Sequence, residues 1–276
     1  MCKNLLPEAS TLSGSRVWQE WKKWSTSSYP SFGLRALKDM GWLAYYPELG
    51  VLVDCPQHQR WHPEGDVWSH TCLVVDQVAK LSKKRSLSEC EHETLAFAAL
   101  CHDMGKPKTT YVNDQGEVVA PEHELVGVTP AKAFLDSIFV PKRIKHLVPP
   151  LVREHVSHFK EDLSETQILH LANNLVPANI SLWEILTEAD ASGCNPMPPR
   201  RPALAWLDLA KELCVLKGKS APIVTGEVLL TRGWEQSPQL GSVLVKAYNA
   251  QLDGEFYDAK SAYSWLQKNA VATQQK

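Results

Sequence analysis

The sequence predicts an all-α protein with one small β-hairpin set into it. Three features carry that prediction. Apolar residues recur every three or four positions along most of the 276 residues. Serines and glycines punctuate those stretches as helix caps and stops. By contrast, the segment "TTYVNDQGEVV" places β-branched residues on either side of Asn113, Asp114 and Gly116, the mark of a tight hairpin.

The elements follow in order. "SGSRVWQEWKKWS" predicts a first helix, capped by Ser13 or Ser15. Its Trp18, Trp21 and Trp24 recur every third residue and share one face, which reads as buried packing. "SYPSFGLRALKDMGWL" predicts a second helix, begun near Pro30 and Gly33 and stopped near Gly41. "DVWSHTCLVVDQVAKLSKK" is strongly amphipathic, with His70 in its apolar stripe beside Val74, Val78 and Leu81. "CEHETLAFAALCHD" puts Leu95, Ala99 and His102 on one face. After the hairpin, "PEHELVGVTPAKAFLDSI" returns to helix. "KRIKHLVPPLVREHVSHF" aligns Ile144, Leu147, Val148, Leu151 and His155, and its Pro149–Pro150 pair is expected to kink or split it. "SETQILHLANNL" opens with a Ser164–Gln167 capping box. "ISLWEILTEADASG" carries Asp190 near its end and stops at Gly193. "CNPMPPRRP" reads as an ordered turn or a linker, so the one internal boundary is expected in or just after Asn195–Pro202. "ALAWLDLAKELCVLKG" and the stretches beyond it add helices at the C-terminal end.

The bulk numbers narrow the class. At 44% hydrophobic and 22% charged, with a net charge of -2, the chain is an ordinary globular protein and not a broad electrostatic lure for nucleic acid. No apolar run approaches the roughly 18 residues of a membrane span, and the first residues lack a signal-peptide core. The seven cysteines are scattered, odd in number and without a C-x-x-C pair, which implies reduced thiols in a cytoplasmic protein. Ten tryptophans are many for this length; they fill a core or line a binding groove.

The chemistry rests on a series of inward or helix-end donors: His70, the pair His102–Asp103, His123, His155 and Asp190. A lone buried histidine is ordinarily a hydrogen-bonded core residue. Several such groups on separate helices each need a partner, because an unpaired buried charge is costly. A shared metal meets that need, and helical bundles build metal sites in this way. The donors are nitrogen and oxygen without thiolate, which suits Mn, Fe, Co, Ni or Mg better than a structural zinc site. Asp103 is placed to bridge two metals, and Lys106 to neutralise a phosphate oxygen. For Lys106 the alternative is a solvated loop lysine. His62 and Glu64 in the loop before the His70 helix, and Arg153, are further candidates for contact with substrate; the first two are equally read as loop residues, and a surface position is the ordinary reading of the arginine.

The order H…HD…D, carried by His70, His102–Asp103 and Asp190, resembles the HD-domain metal-dependent phosphohydrolases. "RWHPEGDVWSHT", "LCHDMGKP", "PEHELVG" and "TEADASG" are similar to successive blocks of the HD region of bacterial tRNA nucleotidyltransferases, the CCA-adding enzymes. The likeness runs from about residue 12 to 268. It implies an HD-domain bundle (61–195) between an N-terminal helical segment (1–60) and a C-terminal one (196–276). It implies His70, His102, Asp103 and Asp190 as core ligands of one or two divalent metals, with His123 and His155 serving a second. It implies hydrolysis of phosphomonoesters or 2′,3′-cyclic phosphodiesters of nucleotides or RNA ends. The sequence departs from the family in one respect. No D-x-D and no glycine-rich nucleotide loop precedes the first helix, so CCA addition is not expected of this chain alone. Two other readings stay open: a module that binds tRNA or a separate nucleotidyltransferase subunit around a vestigial metal site, and a hydrolase of regulatory nucleotides.

Overall fold

A computed structural model describes residues 11–159, 163–194 and 200–269. In chain order its helices are α1 (Gly14–Ser25), α2 (Pro30–Asp39), α3 (Pro47–Gly50), α4 (Val67–Lys84), α5 (Glu89–Cys101), α6 (Lys106–Thr109), α7 (His123–Val126) and α8 (Val128–Ser137). They continue with α9 (Lys142–Glu154), α10 (Glu165–Asn174), α11 (Ile180–Ser192), α12 (Leu204–Glu212), α13 (Gly226–Leu230), α14 (Pro238–Leu252) and α15 (Ala259–Asn269). Between α6 and α7 lies the hairpin. Strands β1 (Tyr111–Val112) and β2 (Val118–Val119) pair antiparallel, with Tyr111 opposite Val119. Its turn is closed by Asn113, whose Oδ1 accepts from the backbone of Gln115 and Glu117.

Helix α5 is the centre of the bundle. Glu93 to Cys101 are all buried, as expected of a segment that is apolar on every side. A complete capping box, Ser88 with Glu91, starts it. Helices α4, α9 and α11 pack around it. Asp66 caps α4 by accepting from Ser69 N at 2.9 Å, and Asn179 caps α11 by accepting from Leu182 N. On the outer side, Trp21 is buried and Trp18 and Trp24 are half-buried against Phe97. Trp24 donates to Pro30 O and Trp21 to Tyr46 Oη, so both indole N–H groups keep partners.

Two findings bear on the expected architecture. Pro149 and Pro150 do not split their helix; α9 runs through both. The carbonyls that lose a donor belong to the half-buried Lys145 and the exposed His146. The cores also divide at a different place. The described part of 1–60 has no core of its own, because Trp21, Leu34, Leu49 and Leu52 join the main cluster. Helix α12 joins it too, through Trp206, Leu207 and Ala210. A second, smaller apolar cluster starts only at Val224 and gathers Leu229, Leu240, Val243 and Phe256. Residues 195–199 of the expected boundary lie outside the described residues. No helix among the described residues is long and apolar enough to cross a membrane.

Candidate metal centre

Five segments deliver the donors. His70 stands in the first turns of α4, oriented by the Asp66 cap. His102 and Asp103 follow the last residue of α5, where the chain turns toward α6. Gly105 makes that turn possible: a Cβ there would lie 1.9 Å from His123 O and 2.7 Å from Gly127 N. Only a glycine lets the two backbones approach this closely, and the approach sets His123, at the start of α7, over Asp103. His155 comes from the end of α9 and Asp190 from α11.

The donors meet around Asp103. Its Oδ1 lies 3.3 Å from His123 Nε2 and 3.8 Å from His155 Nε2. Its Oδ2 lies 3.2 Å from His102 Nε2, 3.9 Å from His70 Nε2 and 2.7 Å from Lys106 Nζ. Asp190 Oδ1 is 2.9 Å from His70 Nε2 and 3.7 Å from His102 Nε2. Two ligand sets result, His70–His102–Asp190 and Asp103–His123–His155. Burial pushes the Asp103 carboxyl up, but His102 and Lys106 outweigh it and hold Asp103 well below the usual carboxylate range. Asp190 is likewise depressed, by its bond to His70 against the effect of burial.

The proton positions decide whether a cation fits. His102 Nδ1 lies 2.7 Å from Ala99 O, His123 Nδ1 2.7 Å from Ala120 O, and His155 Nδ1 2.6 Å from Val152 O. A carbonyl only accepts, so each Nδ1 carries a proton and donates. His155 is neutral, its pKa pushed down to about 3 by burial and by His123 and His102. Its Nε2 therefore offers a lone pair, 3.2 Å from His123 Nε2. Something positive must lie between those nitrogens, either a proton or a metal ion. His102 Nε2 is buried without a hydrogen-bond partner while facing two carboxylates. Backbone-anchored imidazoles with orphaned lone pairs turned toward carboxylates are the donor set of a divalent cation. The cluster fits one.

Above the centre opens a cleft of about 900 Å³, lined by Asp103, Lys106, His123, His155 and Asp190 among others. His62 reaches it as well. Lys106 is buried beneath the cleft and donates to Gln57 Oε1 at 2.6 Å. Arg153 does not reach it. Its guanidinium bonds Glu154 at 3.0 Å and Asn174 O at 2.9 Å, which turns it away from the cleft. Two participants, Gln57 and Cys194, escaped the sequence reading, and a third, Glu64, was expected there only as a contact for substrate. Glu64 Oε1 accepts from both His70 Nδ1 (2.7 Å) and His62 Nδ1 (2.9 Å), so it orients a candidate ligand. Gln57 positions Lys106. Cys194 sits against His62, Glu64 and His70, and those histidines bring its thiol down to about 7 against burial. The place of Glu64 in the loop before the His70 helix marked it in the sequence; Gln57 and Cys194 gave no signal.

A helical bundle with this cluster defines a class, and comparison with known families agrees: the HD-domain model matches residues 67–178. That match contains every candidate ligand except Asp190. Among individual proteins, the chain is 34% identical over 171 residues to the multifunctional CCA protein of Vibrio campbellii, covering 60% of this chain and 39% of that one. It is 33% identical over 192 residues to the multifunctional CCA protein of Xanthomonas campestris pv. campestris, covering 67% and 44%. The corresponding protein of Stenotrophomonas maltophilia is 32% identical over 192 residues, covering 67% and 45%. The chain thus resembles the HD region of these proteins and spans about two fifths of their length.

Proposed function

We propose that the chain is a metal-dependent phosphohydrolase that cleaves phosphomonoesters or 2′,3′-cyclic phosphodiesters of nucleotides or RNA ends. The observation that carries this reading is that one buried carboxylate, Asp103, is shared by two imidazole sets at the floor of an open cleft. His70, His102, Asp103 and Asp190 would hold one divalent ion, Mn, Ni, Co, Fe or Mg, and His123 and His155 with Asp103 a second. Such ions, when bound, lower the pKa of water and polarise phosphoryl oxygens. The protein's own groups do the rest. Lys106, 2.7 Å from Asp103 Oδ2 and held by Gln57, keeps a fixed positive charge beneath the phosphate. The three backbone-anchored Nδ1–H groups lock the rings, so nothing reorganises as charge develops. Glu64 does the same for His70. His62, at the mouth of the cleft, is in reach of the substrate.

The setting we propose is cytoplasmic. A tRNA, or a separate nucleotidyltransferase subunit, is proposed as partner from the likeness to CCA-adding enzymes. The test is elemental analysis of the purified protein, followed by assays with Mn²⁺, Co²⁺ and Ni²⁺ on 2′,3′-cyclic nucleotides and 2′-nucleotides. Bound metal with release of phosphate or ring opening is expected. Intact substrates with every metal would overturn the reading. Tight tRNA binding without bound metal would favour a binding module.

A further inference from the structure

All ten tryptophans lie within the described residues, and only Trp61 is exposed, at 49%. The others pack into one of the two cores or are at least half-buried. Trp61 sits in the loop before α4, next to His62. Two of the other exposed large aromatics stand on separate segments: Tyr111 of β1 at 55%, and Phe159, in the 3₁₀ turn after α9, at 74%. These three residues, distant in sequence, line the same cleft, the one whose floor is the candidate metal centre. Scattered single apolar residues on a surface need no explanation; several converging on one polar-floored cleft do.

The charges around them point to the same kind of ligand. The Arg60 guanidinium lies 5.0 Å from the centre of the Trp61 ring, a cation–π arrangement that holds the indole plane and leaves positive charge at the rim. Arg60, Lys106 and Arg200 all line the cleft, and the acidic group of its hairpin wall, Glu117, faces His58 at 3.6 Å. A ligand that matches a floor built to hold a cation and an aromatic, cationic rim carries a phosphate at one end and a flat π-system at the other. A cleft of about 900 Å³ accommodates a molecule of that size.

We propose that Trp61, braced by Arg60 and accompanied by Tyr111 and Phe159, is a nucleobase-stacking rim that makes the cleft select nucleoside phosphates over base-free phosphate esters. This rests on the phosphohydrolase reading only for where the phosphate sits. Stacking tolerates any base, because each has a π-face. The rim therefore supplies preference for a nucleotide without preference for its identity. Trp61 is a specificity residue, not one that touches the reacting phosphorus.

The experiment is calorimetric titration of the full chain, as purified, with adenosine 5′-monophosphate and with ribose 5-phosphate. The two carry the same phosphate and differ in the base. The monophosphate is expected to bind about tenfold or more tightly. Trp61→Ala should shrink that gap to about twofold, Trp61→Phe should keep most of it, and Tyr111→Ala should lose part of it. Equal affinities in the unaltered chain, or a gap untouched by Trp61→Ala, would overturn the rim. In the turnover arm, Trp61→Ala should lower the kcat/KM ratio of the nucleotide to the base-free ester through KM. No turnover of either ester would count against the hydrolase reading alone, since the calorimetry still decides the rim.

Discussion

His70 and His155 both point Nε2 at Asp103, at 3.9 and 3.8 Å, and both are buried, yet their surroundings set opposite charges. Burial drives each imidazole toward neutrality. Around His70, Asp190, Cys194 and Glu64 outweigh it and raise the pKa well above the ordinary value. Around His155, the backbone carbonyl of Val152 takes Nδ1–H, and His123 and His102 add to the effect of burial. The His70 set is therefore held together by a protonated imidazole between carboxylates. The His155 set has a lone pair ready but lacks a paired carboxylate of its own. One half of the centre is assembled by charge pairing, and the other by imidazoles anchored on backbone carbonyls.

The largest effect should come from the residue both halves share. Asp103→Ala is expected to remove bound metal from both sets and lower phosphohydrolase activity on the order of a thousandfold, read by elemental analysis and steady-state rates. Next, His123→Ala should cost only the second set. Metal content is expected to fall by one ion per chain while the first ion stays, with activity down by roughly a hundredfold. Loss of both ions would show that the halves are not separable. Glu64→Gln should act on the first set alone. It keeps the shape but removes the charge behind His70, so metal affinity there should drop about tenfold, measured by chelator competition, with the second set unmoved.

The smallest and most diagnostic effect is on stability against pH in chelator. His155 has a folded pKa of about 3 against an ordinary 6.5. The unfolded chain thus takes up its proton first as pH falls. Stability is lost from about pH 6.5 down toward 3, at about 1.4 kcal/mol per unit at most. His70 has the opposite sign. Its raised folded pKa gives stability that is full below about 6.5 and fades as pH rises through the folded value. Denaturant midpoints between pH 8 and 4 should show a fall on the acid side that flattens in His155→Ala. An unchanged acid limb in that variant would place the titrating group elsewhere.

The sequence alone determined what local patterns encode. The 3.6-residue spacing around His70 and along α9 turned those histidines inward. The turn chemistry of Asn113 and Gly116 specified the hairpin, and the ordered blocks around His102–Asp103 identified the HD region. These are short-range properties, fixed by how one stretch of backbone repeats. Tertiary packing decided the rest. It brought Glu64 behind His70 and Cys194 beside it, and it placed Gln57 on Lys106. It also turned Arg153 away to Glu154 and Asn174 O, carried α9 through two prolines, and moved the break between cores to the stretch between Val215 and Val224. Trp61 shows the limit most plainly. In the sequence it is one tryptophan among ten. Only the packing of loop, hairpin and α9 around a common cleft leaves it facing solvent, because exposure depends on which distant segments arrive to cover a side chain and no local period records that.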